Sequence, residues 1–211
     1  NMIMEIESIS VKAANDVDTD YVGRRCTENG MMIVCVDALQ KSPAGVAKLA
    51  GQSILDGFDE LQEITEEILL QYVQRGHAAV KTEYPEEVAA MMAITLLVVN
   101  NQKIGIVQKG STQLFWIREG ELCYQSVSEA VSNDAKIQVF DNHLQDGDAL
   151  LLTTDGLWMP IREQEIVIDY VKSETVKQWI SYLLTRKGLI MDEESDCYSA
   201  MAIMVHQSDS Q

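Results

Sequence analysis

Three apolar stretches of this chain each meet an aspartate. "MIVCV" runs into Asp37, "ALLLTT" runs into Asp155, and Asp196 stands just before "YSAMAIMV". Asp16 follows the first β-like segment. A single aspartate at a strand end is an ordinary turn residue, because its short side chain bonds nearby backbone. Four of them suit a more specific use. Carboxylates gathered in one cleft repel each other, and divalent cations relieve that repulsion. His77, His143 and His206 are isolated, and Cys26, Cys35, Cys123 and Cys197 form no C-x-x-C pair. A metal site here is therefore built from oxygen ligands, which suits magnesium or manganese. No Ser-His or Cys-His pair offers a protein nucleophile.

"DVDTD" (Asp16 to Asp20) invites two other readings. A calcium loop wants Gly at its sixth position and Glu at its twelfth, where this chain has Tyr21 and Thr27. An aspartyl-phosphate hydrolase places Asp-x-Asp at the end of an apolar strand, whereas "VKAAN" precedes it here.

The elements that must position these aspartates follow from the apolar pattern. Ile3 to Lys12 reads as a strand, followed by a polar loop from Ala13 to Asn29. "MMIVCV" reads as a buried strand. Ser42-Pro43 predicts a helix start, with the helix running to about Phe58. A second helix is expected from near Asp59, with Leu61, Ile64, Ile68, Leu69 and Tyr72 on one face. "MMAITLLVV" and "KIGIVQKG" flank Asn100-Asn101 as a hairpin, and "QLFWI" and "ELCYQ" flank Arg118-Glu119-Gly120 as another. "KIQVF" and "ALLLTT" are further strands. Helices over 162–171 and 174–187 and a strand over 198–205 complete the order. Hairpins join the central strands, so the sheets should be mainly antiparallel, with the helices outside.

A chain of 211 residues fits a single domain spanning 1–211. The net charge of −17 opposes nucleic-acid binding and favours cations and basic partners. No apolar run is long enough to span a bilayer, so no membrane association is expected. The unpaired cysteines suggest a reduced, cytoplasmic protein.

Taken together, the segments resemble the metal-dependent serine/threonine phosphatases, the type 2C or PPM family, as a divergent bacterial-type member. "AND" (Ala14 to Asp16) is similar to the family's Asn-Glu-Asp box. "VCVDALQ" is similar to the strand leading to Asp-Gly-x-Gly, and "QKGSTQLFWIREGEL" to the hairpin around Gly-Asp-Ser-Arg. "LLLTTDGLW" closely resembles the Ser-Asp-Gly-Leu-Trp segment, and "SDCYSAMAIMV" the closing Asp-Asn-x-Thr strand.

The resemblance implies an α+β fold, a four-layer α-β-β-α sandwich of two antiparallel sheets flanked by helix pairs. It implies two Mg2+ or Mn2+ ions, held by Asp16, Asp37, the Ala38 carbonyl, Asp155 and Asp196. It also implies hydrolysis of phosphoserine or phosphothreonine by a metal-bridging water, with no catalytic side chain. Lys12 is the nearest cation to the family's phosphate-binding Arg, and Val11 occupies that Arg's own position. The expected partner is a phosphoprotein substrate or a kinase. The chain departs from the pattern at Asn15, Ala38, Ser111, Met159 and Cys197. Those departures keep a second reading open, a weak or inactive phosphatase-like module that acts by binding.

Overall fold

The computed structural model describes residues 2–12, 18–38, 42–126, 135–190 and 197–208. In chain order the strands are β1 (Met2–Val11), β2 (Asp20–Cys26), β3 (Gly30–Asp37), β4 (Ala93–Asn100), β5 (Ile104–Lys109), β6 (Gln113–Arg118), β7 (Glu121–Gln125), β8 (Lys136–Phe140), β9 (Ala149–Thr153) and β10 (Tyr198–Gln207). The helices are α1 (Val46–Asp56), α2 (Glu66–Glu83), α3 (Glu86–Ala90), α4 (Asp155–Trp158), α5 (Glu163–Val171) and α6 (Val176–Ile190). The strands form two five-stranded sheets, ordered β1-β10-β9-β6-β7 and β2-β3-β4-β5-β8. Their pairings are antiparallel throughout.

Three apolar cores separate four layers. Met32, Val34 and Val36 of β3 pack with α1 and α2, while Met31, Ile33 and Cys35 face the other sheet. The outer face of the β9 and β10 sheet carries a third core under α4, α5 and α6. A strand buried on both faces has no polar side to show, so it reads as one apolar run. That explains "MMIVCV". The expected four-layer sandwich is the observed architecture.

Both predicted hairpins form. Asn100 Oδ1 accepts from the backbone N–H groups of Gln102 (2.9 Å) and Lys103 (2.7 Å). Glu119 and Gly120 take φ of 54° and 74°, the left-handed pair that a tight hairpin needs.

Several boundaries differ. The expected loop over 13–29 contains β2, an edge strand whose outer end, Arg24 to Cys26, is exposed and polar. α1 begins at Val46 rather than at Pro43, because Gly45 stands before it with φ 88°. α2 begins at Glu66 rather than near Asp59. Thr65 caps it, its Oγ1 accepting from Ile68 N–H at 3.2 Å. Asp59 instead makes a local turn with Leu61 N–H (2.9 Å), leaving Leu61 in solvent.

Candidate metal and catalytic site

The carboxylate cluster is built by strand register. Side chains alternate along a strand, so Asp37 shares the inter-sheet face of Cys35, two residues before it. Asp20 pairs directly with Asp37 across β2 and β3, which places both carboxylates on that face. From the other sheet, β9 delivers Thr154 and then Asp155, the first residue of α4. Thr154 Oγ1 donates to Asp20 Oδ2 at 3.0 Å and accepts from the N–H of Ser199 at 2.9 Å. The two sheets are thereby joined at one end of the sandwich, around three aspartates.

Their electrostatics show how crowded that end is. Burial, then the charges of Asp20 and Asp155, push the Asp37 carboxyl up to about 9, and Asp37 shares hydrogen bonds with both neighbours. Burial raises Asp20 to about 6 against the lowering effect of its hydrogen bonds to Asp37 and Thr154, with Asp155 and Asp18 also raising it. Cys35 lies beneath. Burial first, then the three aspartates, hold its thiol well above the usual range, so it supplies no thiolate nucleophile. His77 is on the helix side of the sheet, 3.3 Å from Lys109 Nζ, and burial and that lysine lower it to about 4. It is therefore neutral and faces away from the cluster.

Gly156 has a role other than turning. A Cβ there would stand 2.5 Å from the Cys197 carbonyl oxygen. Glycine lets the start of α4 lie against the chain entering β10, which fixes Asp155 beside it. "TTDGLW" is thus a strand end, a one-turn helix and a close approach.

Ala38 ends the segment with its N–H bonded to Thr19 O at 2.8 Å. Its methyl is buried in the core between sheet and helices, so it stays out of the acidic cleft. Lys12 follows β1, its Nζ 3.3 Å from Asp18 Oδ2. The structure thus brings Asp37, Asp155 and Ala38 to one end of the sandwich. Asp16 and Asp196 lie outside the described residues.

Sequence reasoning missed Asp20 and Asp18, which it weighed only within "DVDTD", as a calcium loop or an aspartyl-phosphate hydrolase motif. The signal was available in "DYVGRRCTENG". Asp20 and Val22 alternate with Tyr21 and Gly23, and Thr27 to Gly30 is a turn in which Thr27 N–H donates to Gly30 O at 2.9 Å. A hairpin there sets Asp20 against Asp37.

The donor set fits a hard divalent cation in its chemistry. It consists of carboxylate oxygens whose mutual repulsion a cation relieves, and Asp18 Oδ1 is buried with no hydrogen-bond partner. Among the described residues, however, no group of three or more His, Cys, Asp or Glu is arranged to hold a metal ion. The three aspartates instead hydrogen-bond to one another.

Comparison with known proteins adds the fold. No family model matches the sequence, and no curated protein matches it. Solved structures do. The catalytic domain of the serine/threonine phosphatase PstP, solved with two manganese ions, is 16% identical with a TM-score of 0.68, over 98% of this chain and 100% of that one. The serine/threonine phosphatase of S. agalactiae is 12% identical with a TM-score of 0.74, over 97% and 99%. PppA, a regulatory component of T6SS in Pseudomonas aeruginosa, is 17% identical with a TM-score of 0.69, over 97% and 100%. With two five-stranded antiparallel sheets between helices and these neighbours, the chain has the fold of the PP2C-type, or PPM, serine/threonine phosphatases.

Proposed function

We propose that residues 1–211 form one metal-dependent phosphatase module that hydrolyses phosphoserine or phosphothreonine in a phosphoprotein. The observation that carries this reading is the cluster of buried Asp20 with partly buried Asp37 and Asp155 at one end of a PP2C-type sandwich, with Asp37 pushed up to about 9. Such repulsion is tolerated where a cation is to be held.

Asp37 and Asp155, with the Ala38 carbonyl and with Asp16 and Asp196, are the residues we assign to two Mg2+ or Mn2+ ions. When bound, the ions supply an activated water and charge that neutralises phosphoryl oxygens. Asp20 orients Asp37 through their shared hydrogen bond and is itself held by Thr154. Asp18, paired with Lys12, brings that lysine to the acidic end. Lys12 would hold a phosphoryl oxygen as a point charge. The neutral Cys35 and His77 leave nucleophilic attack to water.

The test is hydrolysis of a phosphothreonine peptide and of a small aryl phosphate, with manganese or with chelator. Turnover that requires manganese and disappears in Asp155→Asn is expected. No turnover at saturating manganese would overturn the reading.

Two observations favour a second reading, a phosphatase-like module that only binds a phosphoprotein or kinase. No three described side chains stand ready around an ion, and the family's Arg is absent. Tight peptide binding without turnover would establish it. Among the described residues, no helix is long and apolar enough to cross a membrane.

A further inference from the structure

Met91 and Met159 are 53% and 64% exposed. Scattered exposed apolar residues are normal, but these two both flank the end of the sandwich that carries Asp37 and Asp155. Met91 closes α3 and lies two residues before Ala93, which pairs with Asp37. Gly110 turns so tightly against Ala93 that a Cβ on it would stand 2.8 Å from the Ala93 Cβ. The next residue, Ser111, accepts a 2.9 Å hydrogen bond from the Trp158 indole. Met159 follows directly, as the C-cap of the helix that Asp155 opens. A chain of contacts through Ala93, Gly110, Ser111 and Trp158 thus links Met91 to Met159 across the end of the sandwich that carries Asp37 and Asp155.

We propose that Met91 and Met159 seat an apolar side chain that flanks the phosphorylated residue of a basic phosphoprotein. This rests on the phosphatase reading above. Charge selects the partner. A chain of net charge −17 with carboxylates at this end attracts a basic segment and repels an acidic one. Charge alone gives little depth of binding, and buried apolar anchors supply most of it. Methionine suits that task, because its flexible thioether adapts to different side chains. The two side chains lie in solvent, so removing them leaves the core intact.

The test uses two lysine-rich peptides bearing a non-hydrolysable phosphonate analogue of phosphothreonine. They differ only in Leu or Ser beside the analogue, and their binding to the manganese-loaded protein is followed by calorimetry. The Leu peptide is expected to bind about tenfold more tightly, and the M91Q/M159Q double variant is expected to lose that preference. Equal binding of the two peptides, or a preference that survives in the double variant, would overturn the proposal. Hydrolysis of an aryl phosphate is measured on the same samples. Its absence beside an intact Leu preference would sink the phosphatase reading and leave the docking site standing.

Discussion

Asp20 stands opposite Asp37 in the β2–β3 ladder, and Thr154 of the facing sheet bonds Asp20 in that position. Two carboxylates held side by side, one buried and one half-buried, cannot both stay ionised without help. The site is thus electrostatically stressed, and that stress is measurable.

Its first expression is in stability against pH. The folded protein holds the Asp37 proton up to about 9, whereas the usual value is 3.8. The folded state therefore binds more protons, and this group's contribution is intact below about pH 4 and lost as pH rises toward 9. Asp20 adds the same trend between 3.8 and about 6. In chelator, the wild type should lose stability from pH 5 to pH 8 relative to Asp37→Asn, whose side chain cannot ionise. Denaturant midpoints at several pH values check this, and parallel curves for the two proteins would contradict it.

Thr154 serves both sheets, as donor to Asp20 and acceptor from Ser199 N–H. Thr154→Val strands a buried amide and a carboxylate, so it should lose about 1–3 kcal/mol of stability. Thr154→Ser keeps the hydroxyl and should lose much less. Equal losses in the two variants would point to packing as the cause.

Gly156 tests the close approach. In Gly156→Ala the new methyl meets the Cys197 carbonyl at 2.5 Å, which costs about 1–3 kcal/mol in shifted backbone. Manganese affinity should fall with stability, because Asp155 is the neighbouring residue. A variant with an unchanged melting temperature would show that the backbone yields freely there.

Lys12 and Asp18 form an exposed pair, and such pairs add little to stability. Lys12→Ala should therefore melt like the wild type. If the lysine holds phosphate, KM for a phosphopeptide should rise about tenfold, the value of one charge-assisted hydrogen bond. An unchanged KM would leave Lys12 as a solvated strand-end residue.

Much of the frame was legible in the sequence, for physical reasons that can be named. Strands buried on both faces announce themselves as continuous apolar runs, as β3, β4 and β9 do. The Asn100 and Gly120 turns carry their own chemistry. β2 was hidden because it is an edge strand with exposed arginines, and with it went Asp20, the partner of Asp37. The start of α1 was misplaced because Ser42-Pro43 is a good helix signal, while Gly45 at φ 88° overrides it. The need for glycine at 156 was not legible, because the nearness of Cys197 O is a tertiary fact that no local pattern records. Asp37 and Asp155 were singled out from their strands, and the structure sets the two side chains in hydrogen-bond contact.

We assign this carboxylate cluster to the binding of divalent cations. Calorimetric titration of the protein with manganese at pH 7, repeated in buffers of different ionisation enthalpy, tests it most directly. Two sites and release of about one proton per chain are expected, since Asp37 must give up its proton to a cation, with both signals removed in Asp37→Asn. Absence of manganese binding, or binding that Asp37→Asn leaves unchanged, would contradict it and return these aspartates to the role of strand-end residues.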